Sequence, residues 1–126
     1  MKRKSIITSL SSFKITNKER HIFKKNKPWG IILFKRNIKN LNQLKELTKE
    51  IRYLMEDEFY PILIDEEGGR VSRFSNIFNT SAFHQNYFGK IYEQNKTFGI
   101  NSYIEYLSFN CELLNEVGIN MNTIPV

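Results

Sequence analysis

Apolar residues along this chain gather in short runs and in spaced stripes, and the two kinds alternate. Residues 5–10 read as a first strand, with Lys2, Arg3 and Lys4 ahead of Ile6 and Ile7. Thr16-x-x-Glu19 has the form of a capping box, in which the threonine accepts from the third helical amide and the glutamate reaches back. The helix it opens runs to about Asn26, and Pro28 prevents its continuation. Gly30-Ile31-Ile32-Leu33-Phe34 is an unbroken apolar run, the pattern of a strand covered on both faces in a parallel sheet. Asn40-x-x-Gln43 opens a second helix in the same manner, and Leu41, Leu44, Leu47, Ile51 and Leu54 mark its core face. Residues 60–64 predict a third strand, with Pro61 tolerable only near its start. Ser102-x-x-Glu105 predicts the start of another helix, continued by Tyr103, Tyr106, Leu107, Cys111, Leu114 and Val117 and ended by Gly118. Residues 119–126 begin a fourth strand.

The order β-α-β-α-β-loop-α-β carries no internal repeat and predicts an α/β fold with a parallel sheet and covering helices. Residues from 66 to about 99 read as a loop too long for an ordinary connection, and loops of that length are usually functional. Phe74, Phe78, Phe83, Tyr87, Phe88 and Tyr92 crowd this stretch. They fit either the lining of a sugar or ring pocket or a cluster that covers the loop itself. The sequence stops at Val126, within a strand that should be buried, so an incomplete domain is expected.

Composition narrows the class. With 126 residues, 40% hydrophobic and 25% charged, the chain has room for one globular domain. No apolar run approaches the roughly 20 residues of a membrane span. The apolar stretch near the N-terminus is short, meets Ser11, Ser12 and Lys14, and offers no small-residue cleavage site, so it reads as strand and not as a signal peptide. A single cysteine excludes an internal disulfide and fits a reducing compartment, which makes the cytoplasm the expected location. Cys111 itself is expected as a packed small residue. Residues 1–52 carry a net charge of +12 and residues 53–126 a net −6. A basic half can signal nucleic acid, yet no recognition motif or aromatic platform accompanies it. Lys39, Lys45 and Lys49 fall between helix leucines, where solvent-facing lysines belong. Neither a nucleic-acid nor a membrane partner is expected.

The chemistry concentrates after the third strand, in Ile64-Asp65-Glu66-Glu67-Gly68-Gly69-Arg70-Val71. Parallel α/β proteins hold ligands at the C-terminal ends of their strands. Asp65 is expected to accept hydrogen bonds from ligand hydroxyls there. Glu66 and Glu67 are neighbours and cannot both face one pocket along an extended segment, so one is expected to pair with Arg70 or Arg73. Gly68-Gly69 satisfies neither the dinucleotide nor the Walker pattern. His21 and His84 lack metal-ligand spacing, and His84 reads as an ordinary loop histidine; no metal or other cofactor is expected. Glycosidases typically need two catalytic groups about 5–10 Å apart. Nothing in the sequence places a second acid at that distance from Asp65.

Three blocks taken together resemble the family 3 glycoside hydrolases. They are Trp29-Gly30-Ile31-Ile32-Leu33-Phe34-Lys35-Arg36-Asn37, then Gln43-Leu44-x-x-Leu47-Thr48-x-x-Ile51-Arg52, then Ile64 through Arg73-Phe74. The tail Gly118-Ile119-Asn120-Met121-Asn122-Thr123-Ile124-Pro125-Val126 resembles that family's next block. The resemblance is greatest to the bacterial β-N-acetylhexosaminidases of peptidoglycan recycling. It covers nearly the whole chain from about residue 5, apart from residues 76–99. It implies that residues 1–126 are the first part of a (β/α)8 TIM barrel, incomplete, with about four parallel strands. It implies an amino-sugar substrate, terminal N-acetylglucosamine on cell-wall fragments, bound by Asp65 with the help of Arg73. Glu67, Gly68, Gly69 and Arg70 match positions that shape the loop, and Glu66 stands where the family usually has glutamine. The family's Lys-His block, its acid/base histidine and its aspartate nucleophile match nothing in this sequence. The chain alone is therefore expected to bind and not to catalyse, its catalytic residues being none. The alternative is a non-catalytic remnant or interaction module whose exposed sheet edge pairs with a complementary chain or a second copy.

Overall fold

A computed structural model describes residues 2–124. Its four strands lie parallel in one sheet, in chain order: β1 (Lys4–Ser9), β2 (Pro28–Leu33), β3 (Ile62–Ile64) and β4 (Met121–Asn122). The crossovers between them hold α1 (Asn17–Lys25), α2 (Leu41–Met55), and then α3 (Gln85–Gln94) followed by α4 (Lys96–Glu116). This is the strand–helix alternation of the opening part of a (β/α)8 barrel. Among the described residues the sheet stays open at β1 and at β4.

Register explains the burial. Thr8, Ile31 and Ile62 stand in line, as do Ile32, Leu63 and Met121, so alternate residues share a face. Ile31, Leu33, Ile62 and Ile64 face the helices and join Leu10, Phe23, Leu44, Leu47, Ile51 and Leu54 in one core. Each such fully buried aliphatic side chain contributes about 2–3 kcal/mol. The opposite face carries Ile7, Ile32, Leu63 and Met121, of which Leu63 is fully covered and Ile7 and Met121 are exposed. No helix of the described residues is long and apolar enough to cross a membrane.

The first capping box is present as the sequence predicts. Thr16 Oγ1 accepts from the Glu19 amide, and Glu19 accepts from the Thr16 and Ser11 amides. Partial burial pushes the Glu19 carboxyl up, but these hydrogen bonds outweigh it and hold the group below its ordinary value of 4.5. A depressed folded value means that the cap's contribution is complete above pH 4.5 and declines as pH falls below it. Glu19→Gln should therefore flatten the stability profile between about pH 3 and 5. A mutant that keeps the wild-type acid dependence of melting would show that other carboxyls set it. At α2, Asn40 caps through its side chain, but Gln43 reaches the Lys39 amide instead of Asn40.

Three expectations need correction. The stretch read as a long loop contains α3, whose cap is His84 and whose one buried residue is Phe88. A short helix with a histidine cap and one buried position carries too little signal to be seen in the sequence. α4 begins at Lys96 under an Asn95 cap, about two turns before the Ser102-x-x-Glu105 pattern, which lies inside the helix. Gly99 hid that beginning, because it reads as a breaker. It sits where α3 and α4 cross: a Cβ there would come within 2.5 Å of Tyr92 Cα, so only glycine admits the contact. Cys111, expected to be packed, is exposed on α4.

Candidate functional site

The C-terminal strand ends are tied together before any ligand group is considered. Asn37, fully buried after β2, donates to the carbonyls of Leu10 and Ser12 at 3.0 and 2.7 Å and accepts from the Phe34 amide at 2.9 Å. Arg36 donates to Leu10 O at 3.0 Å and to Ser9 Oγ at 2.7 Å. After β4, Asn122 exchanges hydrogen bonds with the Glu66 backbone, and the Thr123 amide donates to Ile64 O at 2.9 Å. Strand ends pinned in this way can hold side chains at fixed separations.

Asp65 follows β3 and stands among these ends. Thr123 Oγ1 donates to its Oδ1, and Arg73 lies 3.5 Å from its Oδ2. The Asp65 and Arg73 side chains are 21% and 25% exposed, enough to meet a ligand while remaining ordered. The Arg73 guanidinium also lies 5.5 Å from the centroid of the Phe34 ring, which Arg36 approaches at 4.8 Å. Arg73 Nε is buried and has no hydrogen-bond partner among the described residues. A carboxylate with both oxygens oriented can accept from a hydroxyl while the partly exposed guanidinium beside it donates to another.

The loop that brings Arg73 to Asp65 is organised by Glu66. This side chain is 2% exposed and accepts from the amides of Gly68, Arg73 and Phe74 at 3.2, 2.6 and 3.4 Å. Phe74 then enters the main core. The paired acids thus divide as the alternation rule required, but through backbone amides and not through an arginine. Glu67 and the exposed Arg70 form none of the loop's hydrogen bonds; they line a cavity of about 590 Å³ with Gly68, Val71, Ser81 and His84. Gly68 and Gly69 both have positive φ, at +76° and +58°. A Cβ on Gly68 would collide with the Tyr106 hydroxyl of α4, and one on Gly69 would meet His84 Cβ at 2.6 Å. Burial raises the Tyr106 phenol above its ordinary 10, with Asn110 opposing and the charge of Glu66 adding to the rise.

The loop aromatics pack on one another and on α4: Phe83 stacks on Tyr106 at 5.7 Å, and Phe88 meets Tyr103 and Tyr106 at 5.1 Å. Of the two sequence readings, the cluster that covers its own loop describes these contacts. His84 caps α3 through Nδ1, which accepts from the Tyr87 amide at 3.0 Å. Sequence reasoning missed Thr123, Phe34 and Asn37 as members of the site. The available signal was their position, each at or just past the end of an apolar strand.

Known proteins share this fold. NagZ from Neisseria gonorrhoeae, crystallised with N-trifluoroacetyl-D-glucosamine, superposes with a TM-score of 0.85 over 98% of this chain and 35% of its own, at 29% identity. A β-hexosaminidase of Neisseria gonorrhoeae is 32% identical over 125 residues, 98% of this chain and 34% of the relative. The chain matches the N-terminal part of the family 3 β-N-acetylhexosaminidases. A Neisseria meningitidis serogroup A β-hexosaminidase is 38% identical over 92 residues, 73% of this chain and 25% of that one. A family 3 β-N-acetylglucosaminidase from Paenibacillus shares the fold, with a TM-score of 0.69 at 22% identity over 94% of this chain and 22% of its own. No protein-family model matches the sequence. The chain spans about a third of the length of the family 3 relatives it matches most fully.

Proposed function

We propose that this chain supplies the sugar-binding part of a cytoplasmic β-N-acetylhexosaminidase that removes terminal N-acetylglucosamine from cell-wall fragments. The observation that carries the reading is the Asp65 carboxylate, oriented by Thr123 and Arg73 at the C-terminal end of a parallel strand. Arg73 assists through its partly exposed guanidinium, which stands beside Asp65 and can donate to a neighbouring sugar oxygen. Glu66 fixes the loop that carries Arg73, and Gly68 and Gly69 let that loop run against α4 and the start of α3. Support for an amino sugar comes from the ligand crystallised with the similar NagZ. A single cysteine supports a reducing compartment.

A hydrolytic cycle needs a nucleophile and an acid/base at two sides of the glycosidic bond. Glu66 is spent on three amides and Glu67 lines a different cavity, so neither joins Asp65 as a catalytic pair. The catalytic groups of such a barrel lie outside the described residues. The test is a chimera in which residues 1–124 replace the matching part of Neisseria gonorrhoeae NagZ. Hydrolysis of a chromogenic N-acetyl-β-glucosaminide by the folded chimera is the expected result. A folded chimera that neither binds nor cleaves the substrate would overturn the reading.

A further inference from the structure

We propose that the cavity walled by Glu67 and Arg70 binds a short peptide by its two free termini, the ammonium at Glu67 and the carboxylate at Arg70. This cavity, of about 590 Å³, lies on the loop after β3 and is also lined by His84, Gln85 and Asn86 at the start of α3. Neither Asp65 nor Arg73 lines it, so the site stands apart from the sugar-binding reading.

Elsewhere in this chain opposite charges that meet form pairs: Arg3 with Asp57, Arg20 with Glu50, Lys27 with Glu56, Lys45 with Glu116 and Arg73 with Asp65. Glu67 and Arg70 are three residues apart and wall one cavity, yet neither is ion-paired with the other or with any described residue. The backbone keeps them apart. Gly68 and Gly69, with φ of +76° and +58°, turn the chain between the two side chains, and the Val71 amide closes the turn on Gly68 O at 3.2 Å. The Gly69 amide donates to Thr80 O at 3.1 Å, which ties the turn to the segment leading into His84. An anion and a cation held apart on one concave wall are the complement of a ligand that is itself dipolar.

The other lining groups suit a peptide. Val71 is 39% exposed and offers an apolar wall to a small aliphatic side chain. His84 Nδ1 is occupied by the Tyr87 amide, so the neutral ring carries its proton on Nε2 and has a donor to spare for a ligand oxygen. The side-chain amides of Gln85 and Asn86 make no hydrogen bond among the described residues and can pair with a peptide group. Size selects a peptide over a free amino acid, because clefts of about 300–1,000 Å³ hold ligands several times larger than one amino acid.

The chain has two histidines, His84 at the cavity and His21 on α1, which serve as reporter and control. Alanylalanine would be titrated into the 126-residue chain and both imidazole rings followed by NMR. A saturable shift at His84 and none at His21 is the expected result. Acetylating the ligand's amine or amidating its carboxylate should each weaken binding about tenfold or more. Glu67→Gln should erase only the preference over the acetylated ligand, and Arg70→Gln only the preference over the amide. Neither side chain holds the loop, so both variants should melt as the wild type does. Equal binding of all three ligands would overturn the proposal, as would alanine binding as tightly as alanylalanine, which would assign the cavity to a free amino acid. Calorimetry on the NagZ chimera repeats the titration in a complete barrel, and absence of binding there would overturn it as well. Asp65→Ala should leave the dipeptide affinity unchanged, so failure of the sugar site and failure of this one are read separately.

Discussion

Asp65→Ala should lower kcat/KM of the NagZ chimera by roughly 100-fold or more while leaving its melting temperature nearly unchanged. Hydrogen bonds to a charged group are worth about 1.5–3 kcal/mol each, and a carboxylate bridging two sugar hydroxyls loses both. The structural cost is small for identifiable reasons. Thr123 Oγ1 keeps the Ile64 carbonyl as a second partner at 3.2 Å. The Arg73 contact is 3.5 Å long between partly exposed groups, a class of ion pair that contributes about 0–1 kcal/mol. Arg73 also retains its position against Phe34. Near-normal turnover in the variant would remove Asp65 from the site. A large drop in melting temperature would make it a structural residue instead.

Glu66→Ala is expected to produce the opposite split, a stability loss of about 3 kcal/mol or more with a fall in melting temperature on the order of 10 °C. Three amides that now donate to one buried carboxylate would lose their acceptor together. A buried donor left without a partner costs about 1–3 kcal/mol. Glu66→Gln provides the graded comparison. Its one remaining oxygen can serve Arg73 and Phe74 while the Gly68 bond is lost, so about 1 kcal/mol should go. Thermal denaturation of the 126-residue chain reads both variants. An alanine mutant within about 1 kcal/mol of wild type would show that the loop is held by Phe74 packing and not by the carboxylate.

The strands and the first two helices were legible because their signals are local. Ile31 through Leu33 form a continuous apolar run, Leu44, Leu47 and Ile51 repeat with helical period, and Thr16 and Glu19 cap each other within three residues. The second half was harder because its determinants act between elements. Gly99 is a helix breaker by intrinsic preference, and only the crossing with Tyr92 makes it the residue that fits. α4 looked like an ordinary amphipathic helix until Cys111 was found on its exposed side. In the site, Asp65 was visible from its place after a strand. The division of labour between Glu66 and Glu67 follows from which of them turns inward, and alternation alone does not say which. Thr123 lies 58 residues from Asp65 and meets it only because β3 and β4 are neighbours.

The close fit of Gly68 against Tyr106 has a mechanical meaning. Tyr106 is rooted in α4, and its ring stacks on Phe83 and packs at a tilt against Phe88. The segment bearing Arg73 and the long helix beneath it are thus geared together, so that a tilt of α4 would displace the guanidinium that faces Asp65. The precision of the Asp65–Arg73 pair is inherited from the seating of one helix.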